Sequence, residues 1–143
     1  MRVLLVSSFV ALVGCQSCPD KCENSGLSLT LTRPTAGFAA IGDRVRISVE
    51  SNLGTHVTTC VVGESGPATC DESVVGVSTT LATGGRVYGI GVHLTSNPTH
   101  VKVTVQRASD GTRIAGPQES TISYPTISET CSCQGGADVT MQM

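Results

Sequence analysis

Leu27, Leu29 and Leu31 alternate with Ser28, Thr30 and Thr32, and further on Val45, Ile47 and Val49 alternate with Arg44, Arg46, Ser48 and Glu50. An apolar residue at every second position is the pattern of a strand with one face on a core and the other in water. The same reading extends to residues 56–62, 68–71, 74–81, 86–94, 100–107, 113–115 and 120–124, with a weaker candidate at 139–141. No window carries the 3.6-residue period of an amphipathic helix. Short strands separated by Gly, Pro, Asn and Asp predict an all-β fold: one antiparallel sandwich of about seven to nine strands.

Register can be worked out for one pair. In residues 88–94 the inward set is Tyr88, Ile90, Val92 and Leu94, and in residues 100–105 it is Val101, Val103 and Val105. A loop at Thr95, Ser96, Asn97 and Pro98 then sets Val92 against Val101 and Ile90 against Val103 as a hairpin. That register places His93 opposite His100 on the outer face. Asp110 and Gly111 mark a second hairpin, because both tolerate the positive φ of a tight turn.

Composition removes several function classes. Charged residues make up 14% of the 143 residues and the net charge is −2, which suits neither a disordered chain nor a nucleic-acid binder. Two Tyr, two Phe and no Trp leave no exposed ring platform for sugars or bases. The core has to be built from Val, Ile and Leu.

The first residues read as an address. Met1 and Arg2 give a short positive start, residues 3–13 are apolar apart from Ser7 and Ser8, and Gly14 and Cys15 follow. The run is about half of the roughly 20 residues that a spanning helix needs, so a cleaved signal peptide over residues 1–14 is expected. Its end, Leu12, Val13, Gly14 and Cys15, resembles the lipobox of bacterial lipoproteins. The resemblance implies cleavage before Cys15, diacylglycerol on its sulfur and an acyl chain on the freed amine. Several chains make a stable anchor where one binds only marginally. Gln16 rather than Asp follows the cysteine, which in that family favours the outer membrane. The plain alternative for Cys15 is one more disulfide cysteine in a secreted protein. Loss of residues 1–14 removes only Arg2 from the charge count and leaves −3.

With Cys15 set aside, Cys18, Cys22, Cys60, Cys70, Cys131 and Cys133 remain, an even number in an exported chain and so three expected disulfides. Cys60 and Cys70 enclose the turn-rich Gly63, Glu64, Ser65, Gly66 and Pro67, so a local bridge is expected there. The other four lie at the two ends of the mature chain. Either they clasp Cys18 and Cys22 to Cys131 and Cys133, or each pair closes on itself. Residues 15–26 form a short tether, and residues 27–143 are the single domain with a disulfide-linked tail.

Residues 29–49 look like the first two strands of bacterial immunoglobulin-like domains: a strand ends before Pro34, the chain kinks at Gly37, and Gly42 and Asp43 introduce the next alternating strand. The resemblance implies an immunoglobulin-like sandwich. The tryptophan that packs on the inter-sheet disulfide of antibody domains is absent.

Chemical sites are sparse. Four thiolates at Cys18, Cys22, Cys131 and Cys133 could take zinc or copper(I), although export favours oxidation and the spacings are not C-x2-C. His93 and His100, with His56 as a third ligand, could form a metal site, against a reading as polar surface. Met141 and Met143 suit copper(I) or simply a frayed terminus. Asp71 and Glu72 read as a solvated turn rather than a calcium site. No Gly-x-Ser-x-Gly, His-Glu-x-x-His or P-loop motif occurs, so an enzyme is not expected and neither is a cofactor. The resulting expectation is an outer-membrane lipoprotein held by Cys15, acting as a non-catalytic envelope module that meets a protein partner and no nucleic acid. The rival expectation is a metal-binding or redox lipoprotein.

Overall fold

The computed structural model describes residues 26–72, 75–128 and 133–143, so the expected leader and tether, with Cys15, Cys18 and Cys22, and also Cys131 lie outside the described residues. All regular structure among the described residues is strand: β1 (Leu27–Thr32), β2 (Ala39–Ala40), β3 (Arg44–Ser51), β4 (Gly54–Val61), β5 (Gly66–Pro67), β6 (Thr69–Cys70), β7 (Val75–Thr83), β8 (Arg86–Leu94), β9 (His100–Arg107), β10 (Arg113–Thr121), β11 (Thr126–Ser128), β12 (Cys133–Gln134) and β13 (Ala137–Gln142). One sheet runs β13-β1-β8-β7-β5, with β2 added to β8. The other runs β10-β9-β3-β4-β6, and β11 and β12 make a separate ribbon.

The alternation sets which side chains meet between the sheets. Leu27, Leu29, Leu31, Ile90, Val92 and Leu94 from the first sheet share one buried cluster with Val45, Ile47, Val49, Val101, Val103 and Val105 from the second. Each such side chain contributes about 1.5–3 kcal/mol when fully buried, so the core rests on many aliphatic contacts of similar size. Phe38 is the one aromatic side chain in that buried set.

The stretch from β1 to β3 carries the chain from one sheet to the other. β1 stops before Arg33 and Pro34, Gly37 turns at φ 66°, β2 touches β8, and Gly42 turns again at φ 90° into β3. A Cβ at Gly37 would come within 2.8 Å of the Val87 carbonyl oxygen, so both conformation and space demand glycine there. Arg33 donates from its guanidinium to the Gly37 carbonyl at 2.9 Å and Arg86 to that of Ala36 at 2.6 Å, which pins the crossover.

Four expectations are corrected. First, residues 88–94 and 100–105 do not form a hairpin. β8 pairs with β1 and β7, β9 pairs with β3 and β10, and the connecting loop passes from sheet to sheet. Alternation fixes which face is buried but is blind to which sheet a strand joins. Second, Val87 is buried in place of Tyr88, because the alternation slips by one residue around the buried Gly89, opposite an irregularity in β7. Third, residues 113–121 are one strand with two register shifts, and the Gly116–Pro117 peptide within it is cis. Fourth, the C-terminus is not frayed: β13 pairs in parallel with β1 along six residues, and Met141 is 4% exposed. Among the described residues the strand pairing is thus antiparallel except for this one pair.

The β9–β10 hairpin is present, with Gly111 at φ 72°, but its loop is longer than a two-residue turn: Arg107 bonds to the Thr112 carbonyl and Gly111 to that of Arg107. Cys60 and Cys70 are bonded to each other and face one another across β4 and β6. Among the seven long strands before β13, the first, fourth and fifth (β1, β7, β8) share a sheet, and the second, third, sixth and seventh (β3, β4, β9, β10) share the other. Antibody constant domains keep the second strand with the first, fourth and fifth, so β3 here lies in the opposite sheet.

Candidate interaction site at the arginine end

Strand directions sort the charged residues. β1 begins and β8 ends at one end of the sandwich, where β3 also ends and β9 begins; this is the N-terminal end. There lie His56, His93 and His100, each within three residues of its strand's terminus. At the opposite end Arg44 opens β3, Arg86 opens β8, Arg113 opens β10, Arg107 closes β9 and Arg33 follows β1, with Arg46 two residues into β3. Every described arginine therefore lies at the end remote from Leu27. An eight-residue strand separates the two ends by about 26 Å.

The two ends are fastened differently. At the N-terminal end, neutral side chains close the loops over the core. The Asn52 side-chain oxygen accepts from the Thr99 and His100 amides at 2.9 and 3.1 Å, and that of Asn97 accepts from Gly26 at 2.6 Å. The Tyr124 hydroxyl donates to the Pro98 carbonyl at 2.9 Å, and partial burial raises its pKa.

The arginine end is open. A cleft of about 510 Å³ is lined by Arg44, Arg86 and Arg107 above a floor that includes Phe38, Ala39 and Ile114. The one carboxylate on its wall, Asp43, already accepts the Ala40 amide at 3.2 Å. Arg107 pairs with Asp110 at 3.2 Å, Arg86 holds the Ala36 carbonyl, and Arg44 makes no side-chain hydrogen bond or ion pair among the described residues. The volume lies within the roughly 300–1,000 Å³ of small-ligand sites.

The expected site residues are scattered. His93 stands on the outer face of the first sheet, its Nδ1 at 3.3 Å from the Ser28 hydroxyl, whereas His100 stands on the outer face of the second, 3.5 Å from Glu119. The half metal site therefore fails, because it depended on the hairpin that the strands do not form. His56 pairs across β3–β4 with Val49, apart from both. Among the described residues no three His, Cys, Asp or Glu side chains gather as metal ligands. Cys133 is disulfide-bonded, so it is no free thiolate.

Asp71 is a structural clasp. It accepts the Thr59 amide at 2.7 Å and the Thr58 hydroxyl at 3.1 Å, and the Thr59 bond holds its carboxyl below the usual range. Asp110 is likewise lowered, first by the Thr112 amide at 2.9 Å. On the outer face of the second sheet Glu50, Lys102 and Glu119 form one cross-strand row, with Lys102 and Glu50 at 2.6 Å; that contact raises the lysine pKa. The outer face of the first sheet carries Ser28, Thr30, Ser78 and Thr80 beside Gly76 and Gly91 in a shallow concavity of about 420 Å³.

Sequence reasoning passed over the arginine end. A signal was present: Arg44 follows Gly42 and Asp43, Arg86 follows Gly84 and Gly85, and Arg107 precedes the Asp110–Gly111 turn. Each arginine sits at a strand terminus beside a turn, but only the strand order brings those termini to one end. No protein-family model, no curated protein and no solved structure matches this chain.

Proposed function

We propose that the chain is a lipid-anchored cell-envelope protein whose sandwich is a non-catalytic protein-interaction module, tethered through Cys15 and presenting its arginine end to a partner. The leader of residues 1–14 and the Leu12 to Cys15 motif support the anchor. The observation that carries the reading is the polarity of the sandwich: the chain enters at Leu27, and every described arginine lies at the other end, about 26 Å away. A tether of some twelve residues holds the first end close to the bilayer and leaves the second to face outward. Gln16 supports the outer membrane as the address.

The kinship to bacterial immunoglobulin-like domains belongs to the same proposal. It is supported by the two-sheet sandwich and by the kinked crossover over residues 33–43, while the position of β3 departs from the antibody arrangement. Cell fractionation of Cys15→Ser tests the anchor. The variant is expected to leave the membrane fraction and to lose the mass of the lipid at its N-terminus. A variant that stays in the membrane and is processed normally overturns the reading.

A further inference from the structure

We infer that the arginine cleft is a recognition site for an acidic peptide segment of a partner protein, with its carboxylates on Arg44, Arg86 and Arg107 and an apolar side chain on the floor beneath them. This inference rests on the proposed interaction role and names the chemistry of its partner.

Three guanidinium groups from three strands border one cleft that contains a single carboxylate, and that carboxylate is already engaged by a backbone amide. Asp110 already pairs with Arg107, so the positive charge left without a carboxylate partner at the cleft is that of Arg44 and Arg86, and an incoming anion is attracted there. The cations are arginines, not lysines, so each offers a planar fork that matches a carboxylate in two parallel hydrogen bonds. Arg86 is fixed in place through its bond to Ala36, and Arg107 through Asp110, so little side-chain freedom remains to be lost on binding. Arg44 has no such partner and has its donors available.

The floor decides the class of anion. Phe38 and Ala39 are buried core residues whose edges reach the cleft beside the half-buried Ile114. A free inorganic anion would gain nothing from such a floor, whereas a peptide carries acidic and apolar side chains on one backbone. Interfaces between proteins join arginines to apolar anchors in this way. The neighbouring concavity shares Arg44 and Ala108 and adds Arg46 together with Asp71 and Glu72, so its charges balance, whereas the lining of the arginine cleft has an excess of positive charge.

The test uses the full chain purified in detergent and a fluorescent synthetic peptide alternating Glu and Leu, read by anisotropy. The wild-type chain is expected to bind it and not to bind the same peptide with Gln for Glu. Arg44→Ala is expected to weaken binding roughly tenfold, Arg44→Lys to recover only part of it, and Arg44→Ala with Arg107→Ala to abolish it. Arg46→Ala, outside the cleft, should bind as the wild type does. Equal binding of the Glu and Gln peptides, or undiminished binding by the double variant, overturns the inference. Displacement of the peptide by inorganic phosphate at a lower concentration than by unlabelled peptide also overturns it, in favour of a phosphate site. Membrane fractionation of the same variants keeps the two proposals apart: failure of peptide binding with normal membrane retention refutes the cleft alone, and Cys15→Ser should still bind the peptide.

Discussion

The two ends of the sandwich solve one problem with different chemistry. Both must tie loops over the rim of an aliphatic core. The N-terminal end does so with Asn52, Asn97 and Tyr124, all neutral and all bonded to backbone. The arginine end does so with Asp43, Asp71 and Asp110 on amides, Arg33 and Arg86 on carbonyls, and the Cys60–Cys70 bridge. Neutral fasteners are indifferent to pH and redox state, whereas carboxylates and a disulfide are not. The loop fasteners at the N-terminal end thus carry no titrating carboxylate, whereas those at the arginine end do, and the arginine end is the one proposed to meet a partner.

The bridge should have the largest effect. β6 has two residues and pairs with β4 only at Cys60–Cys70 and Val61–Thr69, so little besides the bond and Asp71 holds it. In the chain-entropy view a loop of about ten residues closed by a disulfide is stabilised by about 3 kcal/mol. Cys60→Ala with Cys70→Ala should lower stability to urea by about that amount. Hydrogen exchange should show the amides of β6 opening well before those of Thr99 and Gly26. Equal loss of protection at both ends would remove the distinction between them.

Much of the core was legible in the sequence because alternation is a local property: Leu27, Leu29 and Leu31, or Val45, Ile47 and Val49, show their buried face without any knowledge of neighbours. Strand partnership is not local. The identical patterns of residues 88–94 and 100–105 fit a hairpin as well as two sheets, and the choice is made by β1, which occupies the edge of β8 that β9 would have needed. β13 showed only as a weak candidate at 139–141, and its length and partner were hidden for a related reason. Ala137, Val139 and Met141 alternate weakly, and their burial comes from the parallel ladder with β1, more than one hundred residues away in the chain. The Cys60–Cys70 bridge was legible because the two cysteines lie ten residues apart across a turn-rich segment, which is again a local property of the chain. The arginine end was not, since its residues come together only through the strand order.

A smaller effect is expected at the N-terminal end. Asn52→Ala removes the acceptor of two backbone amides, and hydrogen bonds of this kind contribute about 0.5–1.5 kcal/mol each, so a loss of about 1–2 kcal/mol should follow. That loss should be the same at pH 7 and at pH 4, because no proton is involved. A thermal unfolding series at the two values checks it. A loss that shrinks on acidification would mean that a titrating group shares the task with Asn52.

The smallest effect is the most diagnostic. Asp71 and Asp110 both have carboxyls held below the ordinary value of 3.8 by backbone amides, Thr59 and Thr112 respectively. A carboxyl whose folded pKa is depressed binds its proton more readily in the unfolded chain. Its contribution is therefore complete above the unfolded value of 3.8 and disappears as the pH falls through the lower folded value. Acidification through that window should loosen Thr59 and Thr112 while Thr99 and Gly26, bonded to Asn52 and Asn97, keep their protection. Asp71→Asn with Asp110→Asn should flatten the acid dependence at the arginine end and leave the N-terminal end unchanged. Amide exchange corrected for the intrinsic pH dependence reads both ends in one experiment. If the double variant loosens with acid as the wild type does, the carboxylate fasteners are not what sets the two ends apart.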